Sequence, residues 1–162
     1  MNMMQSLKIK QVFSTDELQL LVNVGFVAIS MDEPGAAADV FEAVRLLRPK
    51  QEAGYVGGAL ASLVAGDPGA AVQLVDGAPD TPAARTFRGL AMLRSGDVRR
   101  AGGCLRSVVE DVPFSTFALL AEQLLDQCIR EGAGAARGDV IGSSFVTVCG
   151  RDVDLGVAGS GF

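Results

Sequence analysis

The sequence offers few side chains that could perform acid–base, nucleophilic or metal chemistry. It contains no histidine, so the commonest general base and the commonest metal ligand are both absent. The three cysteines, Cys104, Cys128 and Cys149, are widely spaced and form no CxxC pair. Cys104 has no histidine partner that would activate it as a nucleophile. We interpret each cysteine as a small buried side chain of a reduced, cytosolic protein.

Two pairs of carboxylates and one glycine-rich segment are the remaining candidates for chemistry. Asp32 with Glu33, and Glu110 with Asp111, are adjacent in sequence and would not face one another, so they indicate caps and solvated surface. The glycine-rich segment 156–161 follows no clear strand and opens no helix, unlike a phosphate-binding loop. No GxSxG, GxxxxGK[ST] or HxxxH motif occurs. We therefore expect no enzymatic activity, no cofactor and no metal.

The composition predicts one soluble helical domain in the cytoplasm. Of 162 residues, 49% are hydrophobic and 20% charged, whereas aromatic residues are only 6% and tryptophan is absent. Abundant alanine and glycine suit closely packed helices better than a sheet core. The net charge of −5 leaves no basic footprint for duplex nucleic acid. Neither a secretory signal nor an apolar run long enough to span a membrane is visible.

Prolines and turn residues divide the middle of the chain into pieces of helical length. We predict an N-terminal arm at 1–13, a helical domain at 14–131 and a glycine-rich, flexible tail at 132–162. Strand-like composition at 144–149 and 153–157 leaves a weak hairpin in the tail as an alternative. The apolar side of the last helix is predicted to carry Phe117, Leu120, Leu124 and Ile129. The predicted helices are 16–31, 36–47, 52–65, 70–75, 82–95, 98–112 and 114–130.

The turns between these helices recur with a regular spacing, which indicates an internal repeat. Asp32 precedes Gly66 by 34 residues, and Gly66 precedes Gly96 by 30 residues. The second unit is therefore shorter than the first by four residues.

The small residues around these turns resemble the pattern of the tetratricopeptide repeat family. The matching positions are Gly25, Ala37, Phe41 and Pro49 in the first unit, Ala59, Gly66, Ala71 and Val75 in the second, and Gly89, Gly96, Ala101, Leu105 and Pro113 in the third. Asp32 replaces a turn glycine, and Arg85 and Arg88 stand where the pattern has apolar residues. The resemblance implies an all-α fold: a right-handed superhelix of about three degenerate helix pairs plus a capping C-terminal helix and a Gly-rich tail. A plain helical bundle is the alternative.

In such superhelices the first helix of each pair lines a concave surface on which partners lie. Nearly all the residues at these inward positions are apolar, so we expect a groove that receives hydrophobic side chains of a partner. An uncovered apolar face of this size would aggregate. We expect a partner helix, self-association or the chain's own tail to cover it. An apolar stripe at helical spacing is also typical of a core, and this is the alternative for each residue. The predicted partner-binding residues are Val22, Phe26, Ile29, Val56, Leu60, Leu63, Leu90 and Leu93.

Size, acidic charge, repeat number and the apolar groove together resemble the type III secretion chaperones, over residues 16–130. The segment 40–49 (VFEAVRLLRP) also resembles the second helix of their first repeat. The resemblance implies a cytoplasmic bacterial chaperone that holds an apolar helix of a needle, filament or translocator subunit before export. A second copy, bound through residues 1–13, is a further candidate partner. A general adaptor that binds a folded protein and a self-assembling structural component are the alternatives.

Overall fold

The computed structural model describes residues 13–134, and this part of the chain contains seven α-helices. The predicted helices are confirmed, with ends within two residues, except that the last helix continues to Gly134. The predicted N-terminal arm and tail, including the two strand-like segments, lie almost entirely outside the described residues. The helices are α1 (Thr15–Ser30), α2 (Pro34–Leu47), α3 (Ala53–Val64), α4 (Pro68–Asp76), α5 (Pro82–Arg94), α6 (Val98–Asp111) and α7 (Thr116–Gly134).

The helices pair in chain order and stack as a curved array. Each helix packs against the next along the chain, and the first helices of the pairs also contact one another: α1 with α3, and α3 with α5. The last helix, α7, packs on both α5 and α6. The second helices, α2, α4 and α6, share no more than marginal contacts among themselves. Because only the first helices approach one another, they lie on the inner, concave side of the array.

Side-chain caps and prolines start most of these helices. Ser14 and Glu17 form a capping box at α1: the Ser14 hydroxyl accepts from the Glu17 backbone N–H, and the Glu17 carboxylate accepts from the Ser14 backbone N–H. The hydrogen bond from the Ser14 backbone lowers the pKa of Glu17. Asp67, Thr81 and Asp97 cap α4, α5 and α6 in the same way through one side-chain oxygen each.

Glycines let the helices of the first two units approach closely around one aromatic ring. Phe41 of α2 is fully buried between α1 and α3. A methyl group at Gly25 of α1 would lie 2.6 Å from the Phe41 Cζ atom, and one at Gly57 of α3 would overlap the same ring. The third unit repeats the arrangement, with Gly89 of α5 against Leu105 of α6. The small residues that resemble the repeat pattern are therefore the close-contact positions.

The shortened second unit ends in a helix of only nine residues, α4, and two arginines hold its end. The Arg88 guanidinium donates to the Val75 carbonyl at 2.9 Å and lies 3.2 Å from the Asp76 carboxylate. Arg85 forms ion pairs with Asp80, which follows α4, and with Asp111 of α6. Arg85 and Arg88 thus depart from the apolar repeat pattern because they support the end of the short helix and the loop that follows it.

The predicted apolar side of the capping helix α7 is wrong at one residue. Ile129 is 68% exposed, whereas Cys128 is buried together with Ala121 and Leu124 against the third unit. Residues 121, 124 and 128 follow the three-to-four spacing of one helical face, and residue 129 lies about 100° away from Cys128 around the axis. Burial is the main cause that raises the pKa of the Cys128 thiol.

Replacing Asp32 by glycine is expected to raise the free energy of unfolding by about 0.5–1 kcal/mol. Asp32 has a φ of +60°, while Gly66 and Gly96 take +80° and +86° in the corresponding turns. Glycine adopts this left-handed conformation without the steric cost that a Cβ atom imposes. Urea unfolding followed by circular dichroism measures the change. Glu33→Gly is the control, because Glu33 has a φ of −110° and gains nothing from glycine; a stabilisation equal to that of Asp32→Gly would contradict the explanation.

Candidate protein-binding groove

Two of the residues that could do chemistry, Cys104 and Asp111, make structural contacts. The Cys104 thiol donates to the Arg85 carbonyl at 3.2 Å, and burial is the main cause that raises the pKa of this thiol, so it stays protonated at neutral pH. Asp111 pairs with Arg85, and Asp32 lies in a turn. Within residues 13–134 no group of three or more histidine, cysteine, aspartate or glutamate side chains could hold a metal ion. Cys149 and the glycine-rich segment 156–161 lie outside the described residues.

The eight predicted partner-binding residues all lie on the first helices, which form the concave side. Val22, Phe26 and Ile29 are on α1, Val56, Leu60 and Leu63 on α3, and Leu90 and Leu93 on α5. The structure therefore brings the residues together on the inner side of one array. The eight side chains differ, however, in how much of their surface is exposed.

Four of the eight residues are buried and form the floor of the groove. Val22 and Val56 are 9% and 7% exposed, and Leu90 and Leu93 are 6% and 2% exposed. Leu90 and Leu93 share a core cluster with the buried face of α7, because α7 packs on α5. Buried side chains offer little surface to a partner, so these four act as support. The sequence does not reveal that α7 covers this end of the groove.

The other four residues, Phe26, Ile29, Leu60 and Leu63, reach the surface, and we call them the groove cluster. Phe26 is 40% exposed, and the remaining three are partly exposed. Leu60 and Leu63 rest on the core cluster of the third unit, while Ile29 rests on that of the first. The accessible apolar part of the concave side therefore lies on α1 and α3. Its role in binding stays a prediction.

Phe26 is held in place from beneath. Its ring meets the ring of Phe41 edge to face, with centroids 5.2 Å apart and an interplanar angle of 67°. Phe41 is fully buried and is flanked by Gly25 and Gly57, so it has little freedom to move. A partly exposed aromatic side chain on a rigid support loses little entropy on binding, as binding anchors require.

The two helices that carry the groove cluster, α1 and α3, lack the basic side chains that would hold an acidic peptide or a free carboxylate. Helix α3 has no charged residue, and α1 has only Asp16 and Glu17 in its first turn. On α5, Arg85 and Arg88 are paired with carboxylates of neighbouring elements. The surface of the groove cluster is thus apolar and free of basic side chains from α1 and α3.

A small cavity of about 150 Å³ lies where the N-terminal ends of α1 and α3 meet the C-terminal end of α2. Its volume is below the roughly 300–1,000 Å³ of small-molecule pockets. The cavity is lined by Thr15, Leu18, Gln19, Val22, Val44, Arg48, Gln51 and Ala53.

Two surface features escaped the sequence interpretation. The first is the burial of Leu90 and Leu93 by α7, which was predicted only as a capping helix. The second is a row of exposed apolar residues on the outer side of α1: Leu20, Val24, Val27 and Met31. Their spacing of four, three and four residues is visible in the sequence, but α1 also has an apolar inner face. The pattern alone does not show which of the two faces is buried.

No protein-family model matches the sequence, and no curated protein matches it. Among solved structures, the chain is similar to the Sgt2 TPR domain from Aspergillus fumigatus, with a TM-score of 0.64. The two sequences are 19% identical, and the similarity covers 85% of this chain and 97% of that chain. No helix among residues 13–134 has the length and hydropathy to cross a membrane. The chain thus has a tetratricopeptide-like fold, a right-handed superhelix of three helix pairs closed by a capping helix.

Proposed function

We propose that this chain is a protein-binding module without catalytic activity, which holds an apolar helical segment of a partner on its concave side. The observation that carries the proposal is the groove cluster: four partly exposed apolar side chains on α1 and α3, with no basic residue on either helix. The TPR-like fold supports a role in protein binding.

The chemistry of the groove favours an amphipathic helix over a charged tail as the bound segment. A charged peptide end needs basic or amide side chains, and the groove cluster offers only Phe26 and three aliphatic residues. An amphipathic helix presents apolar residues at three-to-four spacing, which match a row of apolar positions on the receiving helices. Burying them contributes about 1.5–3 kcal/mol for each side chain that becomes fully covered.

A more specific function within this proposal is that of a cytoplasmic chaperone for a type III secretion subunit. It is supported by the sequence resemblance, the acidic charge of −5 and the apolar groove. A subunit that polymerises after export has an apolar helix to cover beforehand, and the charged body of a chaperone would keep the complex soluble. The comparisons with known proteins do not point to type III secretion, so this step rests on the sequence resemblance.

We expect the double variant Phe26→Asp, Leu60→Asp to bind an amphipathic helical peptide at least about 100-fold more weakly than the unchanged protein, or roughly 3 kcal/mol. The probe is a fluorescein-labelled synthetic peptide of about 20 residues, longer than the roughly 12–15 below which isolated helices are marginal, with one leucine-rich face and no net charge. Each introduced carboxylate would have to be desolvated against that apolar face. Fluorescence anisotropy gives the dissociation constant, and circular dichroism shows that the variant stays helical.

Leu46→Asp serves as the matched control, because Leu46 is 68% exposed and lies on α2, away from the concave side. Its affinity for the peptide should equal that of the unchanged protein. A peptide of the same composition with the leucines scattered around the helix should bind weakly to all three proteins. Equal affinity of the unchanged and double-variant proteins for the amphipathic peptide would rule the groove out as the binding site. Binding that needs a folded partner domain would favour the adaptor, and the secretion role requires a small secreted subunit as the native partner.

A further inference from the structure

The side of α1 that faces away from the core carries a row of four exposed apolar residues, the last of which directly follows the helix. Leu20, Val24, Val27 and Met31 are 64%, 49%, 54% and 70% exposed. We call them the α1 stripe. Their spacing of four, three and four residues places them in one line along the helix, as in the seam of a coiled coil. The opposite face of the same helix, with Leu18, is buried in the domain.

Charge is absent along the whole length of the α1 stripe. Residues 18–31 contain no charged side chain, and α1, to which all of them but Met31 belong, is the first of the described helices and lies at one end of the array. The exposed face of α7 at the other end is different, because it carries Glu122, Gln123, Asp126 and Arg130 beside its apolar residues. The terminal helices of a helical-repeat array need a polar outer face to be soluble alone. The end formed by α7 meets this need, and the end formed by α1 does not.

We infer that the α1 stripe is the contact between two copies of this chain, which pair through antiparallel α1 helices about a two-fold axis. In a two-fold contact, residue i meets residue j and residue j meets residue i. The stripe fulfils this condition because its spacing reads the same in both directions. With the axis between residues 25 and 26, Val24 of one copy meets Val27 of the other, and Leu20 of one copy meets Met31 of the other.

The size of the stripe suits such a contact. Its four side chains expose on the order of 400 Å², which is in the range of the largest apolar patch of an ordinary monomer. A standard interface buries roughly 800 Å² on each partner, of which somewhat more than half is apolar. The stripe therefore supplies most of the apolar part, and the polar residues beside it, Gln19, Asn23 and Ser30, supply the rim.

The full-length chain at micromolar concentration should have about twice its chain mass of 16.8 kDa in light scattering. Leu20→Glu should bring the mass down to that of one chain, because the pair would bury two carboxylates in an apolar contact. Leu46→Glu is the matched control: the same change at a leucine of similar exposure on α2 should leave the mass doubled. A single-chain mass for the unchanged protein, or a doubled mass for Leu20→Glu, would overturn the inference.

A charge-pair experiment tests the antiparallel arrangement itself. Val24→Glu and Val27→Lys should each be single chains, and their mixture should form a one-to-one pair. The carboxylate introduced at position 24 of one copy then meets the ammonium group introduced at position 27 of the other, and the opposite charges attract. A second mixture, Val24→Glu with Leu20→Lys, should not associate, since these positions do not face each other about the proposed axis. Failure of the first mixture to pair, or equal pairing of the second, would overturn the arrangement.

The dimer contact and the groove can be tested separately. The groove variant Phe26→Asp, Leu60→Asp should keep the doubled mass, because Phe26 lies about 130° from the middle of the α1 stripe around the helix axis and Leu60 lies on α3. Loss of the doubled mass in this variant, with the helical content unchanged, would overturn the assignment of the dimer contact to the stripe.

Discussion

Replacing Gly57 by alanine is expected to lower the free energy of unfolding by about 3 kcal/mol. The same substitution at an exposed position in a helix raises it by up to about 1 kcal/mol, because alanine is the better helix former. The sign reverses at Gly57 because a methyl group there would overlap the buried ring of Phe41. The ring has little room to move, because it is fully buried and Gly25 of α1 also lies against it. Urea unfolding followed by circular dichroism measures the change.

Gly103→Ala is the matched control for this prediction. Gly103 lies within α6, is exposed and has no atom within 4 Å of the place where a methyl group would be added. Alanine at that position should stabilise the protein by about 0.5–1 kcal/mol. In a Phe41→Ala background, Gly57→Ala should lose its destabilising effect, because the ring is gone. A cost that persists in this background would show that the overlap with Phe41 is not the cause.

Phe41→Ala should cost about 4–5 kcal/mol, at the upper end of the range for such changes. Phe41 is fully buried, and the cost of a large-to-small change grows with the cavity that remains. Two of the neighbours of the ring, Gly25 and Gly57, have no side chain that could move into the space. The same unfolding experiment measures the loss.

Phe26→Ala provides the comparison for the same residue type. Phe26 is 40% exposed and touches Phe41 only edge to face, so its loss should cost about 1–2 kcal/mol, from part of its burial and one aromatic pair. Equal costs for Phe26→Ala and Phe41→Ala would refute the view that the ring between the two glycines is the centre of this end of the domain.

The two glycine contacts also connect the core to the proposed function. Phe41 sets the distance between α1 and α3, and these are the helices that carry the groove cluster. We therefore expect substitutions at Phe41, or at the glycines beside it, to change the width of the groove as well as the stability of the domain. The edge-to-face contact of Phe26 with Phe41 makes this connection direct.

The helices and their pairing could be predicted from local features of the chain. Prolines at the first helical positions, the capping residues Ser14 and Thr81, and the recurring turns act within a few residues of themselves. Their effect on the secondary structure can therefore be predicted from the sequence alone. Gly25, Phe41 and Gly89 could be assigned to close contacts because the repeat spacing aligns them, and the structure places them in such contacts.

The degree to which each side chain is buried could not be predicted from such local features. Val22 and Phe26 are both apolar and both predicted to point inward, yet one is 9% and the other 40% exposed. Likewise, Leu90 and Leu93 lose their access because α7, which follows some 20 residues later, packs on α5. The hydrophobic effect acts on surface removed from water, and only the packing of distant elements determines how much surface each side chain loses. The same reason explains why the apolar row on the outer side of α1 was recognised only in the folded chain, where none of the helices within residues 13–134 covers it.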